Sequence, residues 1–194
     1  MKHYEDNFAH INLPNLELQP NYTFLDLPQF NRPEMINCVE KLLDNHIAEG
    51  RGNNVCIRTF EETWTYQDLY EKANQSAHVL VDDLGLKSGN RVLIRSANNP
   101  MMVACWFAVL KAGGIVVATM PLLRSKELTT IIDCAEISHA FCDSECAEEM
   151  HLVKSDFLKK VSFYRNAYLE KLMESKSKTF QNYHSKSDSV ALIG

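Results

Sequence analysis

Cys134, His139, Cys142 and Cys146 fall within thirteen residues, with His151 just beyond, and together they form the densest group of metal-capable side chains in the chain. Structural zinc needs a tetrahedral set, usually presented from tight Cys-x-x-Cys-like knuckles. Only Cys142 and Cys146 have such spacing, and the step from Cys134 to Cys142 spans a helix end and a strand. Small buried cysteines and a surface histidine are therefore favoured over zinc. Gly113-Gly114 follows a helix rather than a strand, and no Gly-x-Gly-x-x-Gly occurs, which disfavours a dinucleotide fold. A serine hydrolase would want a Gly-x-Ser-x-Gly elbow, which is also missing. Phe163, Tyr164, Tyr168, Phe180 and Tyr183, interleaved with lysines, imitate a stacking platform for single-stranded nucleic acid. Anchoring of an irregular segment onto the core explains the same residues, and the acidic remainder of the chain favours anchoring. The loop Thr119–Arg124 carries the remaining functional claim, because it lies beyond the C-terminal end of a predicted parallel strand, where open α/β sheets bind ligands.

The elements that would position these residues centre on the stretch 89–128. Arg91–Arg95 reads as a strand with an unbroken apolar run, Val92-Leu93-Ile94. Asn99 offers a side-chain cap and Pro100 suits the first helical position, where its missing N–H costs nothing. Met101 to Leu110 is apolar nearly all round, so this helix should be buried on more than one side. Gly113-Gly114 closes it, supplying a left-handed helix end. Ile115–Ala118 is a second buried strand, completing a right-handed βαβ unit in a parallel sheet covered on both faces. Upstream, residues 1–32 read as an irregular arm punctuated by Pro14, Pro20 and Pro28, with Leu25, Leu27 and Phe30 draping it over the domain that occupies 33–194. Pro33 is expected to open a helix carrying Ile36, Val39, Leu42, Leu43 and Ile47. Val55–Phe60 and Thr63–Thr65 flank Glu61-Glu62 as a small hairpin. Thr65 and Asp68 form a capping box for a helix lined by Leu69, Ala73, Ala77, Leu80 and Leu84, with Gly85 as its stop. Downstream, Ser125 is expected to cap a helix. His139–Cys142 and Val161–Tyr164 read as strands, Asp143-Ser144 starts a helix that runs past Met150, and Tyr168–Met173 forms another. Lys176–Asp188 reads as an exposed connection, and Val190–Ile193 as a final apolar strand.

Composition is that of an ordinary globular protein: 45% apolar and 23% charged over 194 residues. The net charge of −5 argues against a nucleic-acid scaffold, although residues 151–188 carry eight Lys/Arg against four Asp/Glu. That local excess is read as a solvated face. Six cysteines are scattered, with Cys105 inside the buried helix and Cys38 on a predicted one. Free thiols in a reducing cytoplasm fit this better than a disulfide framework. No secretory leader and no membrane span are expected, the longest apolar run being about ten residues.

Motifs of the same stretch resemble the N-terminal part of the AMP-forming acyl-CoA synthetase (acyl-adenylate-forming) superfamily. They are Thr65-Tyr66, Ala73 and Ala77, Gly89-Asn90-Arg91-Val92, Asn98-Asn99-Pro100, Lys111-Ala112-Gly113-Gly114, and Pro121 through Glu127-Leu128. Most members have Asp where this chain has Asn90. The wording GNRVLIRSANNP, VACWFAVLKAGG and VVATMPLLR is most similar to the aryl branch, the 2-aminobenzoate– and benzoate–CoA ligases. The resemblance covers roughly residues 20 to 194, and none of these motifs is catalytic.

The resemblance implies an α/β fold with a mainly parallel doubly wound sheet, helices on both faces and a small β-hairpin, forming an incomplete N-terminal subdomain cut before the phosphate-binding loop. It implies ATP-dependent activation of a carboxylic acid, aromatic such as 2-aminobenzoate or benzoate, to its CoA thioester through an acyl adenylate. ATP, Mg²⁺ and CoA belong to the whole enzyme, and this chain alone is expected to bind none of them tightly and to be inactive. In the family, the loop corresponding to Thr119–Arg124 can border the CoA path, so Arg124 is the candidate for meeting a phosphate; pairing with a neighbouring carboxylate is the favoured competing reading. No catalytic and no metal-binding residue is carried over. The expected partner is the missing C-terminal remainder, with neither nucleic acid nor membrane, and exposed apolar surface is expected to promote self-association. The alternative is a non-catalytic, truncated or repurposed α/β domain that binds a partner.

Overall fold

The computed structural model describes residues 4–21, 27 and 33–194. The arm is more structured than its prolines suggest: it forms a helical turn, α1 (Phe8–Ile11), and then a 3-10 turn at Leu16–Leu18. Charge docks it. Asp6 accepts hydrogen bonds from the Asn90 side chain at 2.9 Å and from the Arg91 guanidinium at 2.5 Å, and that guanidinium lies 4.3 Å above the centre of the Phe8 ring. Gly89, at φ +87°, leaves room for the arm, since a Cβ there would collide with the Asp6 carbonyl. Of the residues expected to drape the arm, Leu25 and Phe30 lie outside the described residues and Leu27 is exposed.

No helix opens at Pro33. Met35–Ile36 is instead a strand, β1, paired antiparallel with residues 185–186. Asn37 then turns the chain, its side-chain oxygen accepting from the Val39 N–H. A π turn at Glu40–Asp44 follows and runs into α2 (Asn45–Ala48). The hairpin is present as β2 (Val55–Arg58) and β3 (Thr63–Thr65). Its first strand stops before Phe60 because the Thr59 hydroxyl accepts from the amides of Glu61 and Glu62. The capping box forms as expected on α3 (Tyr66–His78). This helix continues as a π turn, Val79–Asp83, and ends at Gly85 with φ +74°.

The parallel sheet follows. β4 (Arg91–Arg95) is its centre, flanked by β5 (Ile115–Thr119) and, across α5 (Ser125–Cys134), by β6 (His139–Asp143). Between β4 and β5 runs α4 (Pro100–Lys111), capped by Asn99, whose side-chain oxygen accepts from the Met102 N–H at 2.9 Å. Ser125 does not cap α5. Arg124 holds the cap position, its N–H donating to Glu127, while the Ser125 N–H donates to Glu149. After a 3-10 turn at Ser144–Cys146 come α6 (Ala147–His151), β7 (Lys160–Tyr164) and α7 (Tyr168–Met173). Residues 185–186 form β8, and β9 (Leu192–Ile193) pairs in parallel with β5, giving the sheet order β7-β6-β4-β5-β9.

Alternate residues of the strands explain the layers. Val92, Ile94, Val116 and Phe141 face α3, α4 and α7, while Leu93, Val117, Ala140 and Cys142 face α5 and α6. The nearly all-apolar α4 buries one side on the sheet and another against α3 and the hairpin, so Trp106 and Phe107 are both half-buried in different clusters. Among the described residues, no helix is long and apolar enough to cross a membrane.

Residues 176–188 are exposed in part, as at Ser177, Lys178, Thr179 and Gln181, but their backbone is docked on the domain. Side chains of Asn74, Gln75 and His78 reach their backbone carbonyls at Lys178, Lys176 and Thr179. Asn37 donates to the carbonyls of both Leu110 and Tyr183 at 2.7 and 2.8 Å.

Candidate functional site

After β4 the chain moves to β5 on one side, then returns through α5 on the opposite face to β6 on the other side. The crevice beyond the C-terminal ends of β4 and β6 is thus a topological switch point, where doubly wound sheets bind ligands. Arg95 ends β4 there, 2% exposed. Its guanidinium donates to four backbone carbonyls: Leu123 at 2.7 Å, Pro121 at 3.1 Å, and Met120 and Cys146 at 3.3 Å. It draws the loop after β5 and the turn after β6 together over the end of the central strand.

Beside it lies a polar cluster. Asp143, 1% exposed, accepts from the Asn99 amide at 2.8 Å and from the Glu145 N–H at 2.9 Å, and the Arg165 guanidinium stands 3.7 Å away. Asn99 also donates to the Ser96 hydroxyl at 3.0 Å. The buried Tyr164 hydroxyl, adjacent to Ser96 and Asn99, makes no hydrogen bond of good geometry, and burial pushes its pKa up. Arg165 and Asn166 both adopt positive φ, 74° and 58°. A cleft of about 920 Å³ opens in front of them, bounded by the hairpin residues Thr59–Trp64 and by Asn98–Met101.

The sequence-predicted residues fall into separate places. Arg124 is 80% exposed and stands 3.4 Å from Glu149, the pairing that competes with a phosphate role. The Ser125 N–H, followed by Arg124, holds the Glu149 carboxyl below its ordinary range. The cysteines and histidines do not converge: Cys134 is exposed at the end of α5, and the ring of His139 bridges the Ser138 hydroxyl and the Leu84 carbonyl. Cys142 is buried with its thiol pushed up to about 12 by that burial, and His151 leans on Phe163. Among the described residues, no group of three or more His, Cys, Asp or Glu side chains is arranged to hold a metal. All six cysteines are free.

Motif residues elsewhere serve the scaffold. Lys111, with a fully buried side chain, bonds Asp44 at 2.5 Å and Asn182 at 3.2 Å. Tyr183 lies over Gly113, and its N–H donates to the Lys111 carbonyl. Of the tail aromatics, Tyr164 is in the core, Phe180 packs edge-on against His78 and Tyr168 is exposed. They do not share one platform. A second, apolar groove of about 530 Å³ runs along the outer part of the sheet between α1 and α5, floored by Val117 and Ile193. Ile11, Met120, Leu122 and Leu192 are exposed near it or on the adjoining loop and strand.

Sequence reasoning missed Arg95. The signal available was an arginine closing an apolar strand four residues before the Asn99 helix cap, a position that strand burial reaches.

Comparison with known proteins places this geometry. The model of the family described as "AMP-binding enzyme" matches residues 44–193. An uncharacterized acyl–CoA ligase of Bacillus subtilis, YtcI, is 33% identical over 85 residues, which is 44% of this chain and 16% of that protein. The 3-hydroxybenzoate–CoA/4-hydroxybenzoate–CoA ligase of Thauera aromatica is 23% identical over 117 residues, 60% of this chain and 22% of that protein. Among solved structures, the anthranilate CoA ligase AuaEII in complex with anthranoyl-AMP superposes with a TM-score of 0.77 at 18% identity, over 83% of this chain and 31% of that one. The chain therefore spans less than a third of the length of each of these proteins.

Proposed function

This chain belongs to the AMP-binding enzyme family, and on that premise we propose that it is the N-terminal part of an AMP-forming acid–thiol ligase for aromatic acids such as 2-aminobenzoate or benzoate. In the first half-reaction a carboxylate oxygen attacks the α-phosphorus of ATP; the new P–O bond gives the acyl adenylate, and the broken α–β bridge releases pyrophosphate. In the second, the CoA sulfur attacks the acyl carbon, the C–O bond to AMP breaks, and the thiol proton leaves to solvent. Mg²⁺ would offset charge on the phosphates in the complete enzyme.

The observation that carries this reading is the family match along 44–193, seated on the expected switched parallel sheet. Residues of this chain build one wall of the cleft, with Arg124 and loop 119–124 at the edge of the CoA path. The phosphate loop implied by the resemblance would emerge after β9, beside that loop, because β9 pairs with β5. The apolar groove along β5 and β9 would be covered by the remainder of the polypeptide and would promote self-association without it. Free thiols throughout accord with a cytoplasmic protein.

A non-catalytic binding module is the second reading. It is favoured by the scaffold roles of Arg91, Lys111 and Gly113, motif residues that all point into packing. Two experiments separate them. Reading the coding sequence past codon 194 is expected to reveal a Ser/Thr/Gly-rich segment ending in Lys; a stop codon there would favour the module. The 194-residue chain alone, given ATP and 2-aminobenzoate or benzoate, is expected to release no pyrophosphate and to scatter light as an oligomer. Enzymes lower barriers by roughly 8–23 kcal/mol, and one exposed arginine does not supply that. Acid-dependent pyrophosphate release would overturn the assignment of the missing machinery to the remainder, and a dispersed inactive monomer would favour the module.

A further inference from the structure

Arg95 has a setting that packing alone does not require. Its guanidinium is buried, and among the described residues no carboxylate lies within ion-pair distance of it. Four of the five N–H donors of a guanidinium are spent on backbone carbonyls, three of them in the loop after β5. A cation this buried, with Glu149 acting on it only from beyond ion-pair distance, is costly to desolvate. What the cation provides is a fixed path for residues 120–123. That loop has little regular structure of its own: the Leu123 N–H bonds the Met120 carbonyl at 3.2 Å, and the Met120 carbonyl also accepts from Arg95. Its side chains point the other way, with Met120, Leu122 and Arg124 all exposed. A backbone held from beneath, with apolar and cationic side chains turned outward, is how a preformed recognition surface is made.

We propose that Arg95 is the positioning residue for thiol transfer: it presets loop 119–124 so that Met120, Leu122 and Arg124 receive a long thiol substrate ending in a nucleotide phosphate. The inference rests on the ligase reading and adds a residue that touches no substrate. The fourth bond, to the Cys146 carbonyl, ties the loop to the turn after β6, so its position is set from both sides of the central strand. Lysine cannot replace the function, because its three donors radiate from one point and do not span four carbonyls in a planar fork.

Two measurements test this. In this chain, hydrogen exchange of the Leu123 and Arg124 amides, bonded to the Met120 carbonyl and to Glu127, should accelerate about tenfold or more in Arg95→Lys and Arg95→Met, while amides in the middle of β5 and β6 stay protected. Unchanged exchange in the loop overturns the proposal. In the polypeptide encoded by the full reading frame, Arg95→Lys should raise KM for CoA about tenfold or more, with acid-dependent ATP–pyrophosphate exchange changed by less than about twofold. Equal losses in both half-reactions would mean a general structural role and overturn it. Pro121→Gly, which loosens the loop with Arg95 in place, should reproduce the thiol-specific change; this variant decides the matter if Arg95 variants do not fold, and a normal KM for CoA there counts against the proposal. If the wild-type full frame shows no pyrophosphate exchange, the ligase reading fails, and the thiol role of Arg95 fails with it. Loop exchange then reports only whether Arg95 positions the backbone.

Discussion

Gly113→Ala puts the packing at the end of α4 to a quantitative test. Gly113 has φ +78°, and a Cβ built there would lie 2.6, 2.7 and 3.0 Å from Cγ, Cδ1 and Cβ of Tyr183. Carbon atoms rest at about 3.5–4.0 Å, so the ring would have to retreat by roughly an ångström. It cannot retreat freely, because the Tyr183 N–H is bound to the Lys111 carbonyl at 2.8 Å and its own carbonyl accepts from Asn37 at 2.8 Å. Overpacking of this kind costs about 1–3 kcal/mol, and the left-handed conformation adds about 1 kcal/mol for a residue with a Cβ. The expected loss is about 2–4 kcal/mol, which lowers the Tm of a chain this size by roughly 4–16 °C. Urea and thermal unfolding followed by circular dichroism measure it. A double-mutant cycle with Tyr183→Ala separates the terms: the steric part should disappear, leaving only the backbone part and a coupling of about 1 kcal/mol or more. A loss below about 0.5 kcal/mol, or zero coupling, would refute the placement of Tyr183 over Gly113.

Other expectations concern the buried charges. Asp44→Ala should destabilise by about 3–5 kcal/mol, because it strands the buried Lys111 ammonium. Lys111→Met should cost clearly less in the same denaturation assay, and equal costs would argue against a desolvated pair. His139 has its pKa lowered, first by burial and then by the charge of Lys160, against the opposing bond to the Leu84 carbonyl. The unfolded chain therefore binds this proton more readily, so stability is full above the unfolded value of about 6.5 and falls as pH drops through the folded one. His139→Gln should flatten the pH dependence of stability below that value, and an unchanged slope would show that His139 is not its source.

Legibility in the sequence followed the range of the interactions. β4, α4 and β5 could be read almost to the residue because an apolar run, an Asn-Pro start and a Gly-Gly stop are all local signals. The hairpin and the Thr65–Asp68 capping box were legible for the same reason. The helix expected from Pro33 starts only at Cys38, because Met35 and Ile36 pair with residues about 150 positions later, which periodicity does not detect. The π turns at Glu40–Asp44 and Val79–Asp83 carry no local signal distinct from an ordinary helix. Residues 176–188 looked solvated because polar composition does not reveal that Asn74, Gln75 and His78 wait to bond their carbonyls. The place of loop 119–124 beyond the end of a parallel strand was legible from the apolar run of β5. Arg95 beneath it was not, since an arginine at a strand end ordinarily reads as a solvent flank.

The long-range stitches between the two ends of the chain have a consequence for biosynthesis. β4 through β7, with α4, α5 and α6 between them, are contiguous in sequence and can assemble as soon as they leave the ribosome. β1 and the Asn37 clasp must wait for residues 183–186, and the Tyr4 hydroxyl must wait for the Val190 carbonyl. The arm can dock through Asp6 once Asn90 and Arg91 are made, but the Tyr4 bond, β1 and the Asn37 clasp are among the last contacts to close. Until β9 is made, the flank of β5 stays unpaired in the nascent chain, an open strand edge on which pairing with a neighbouring chain can compete.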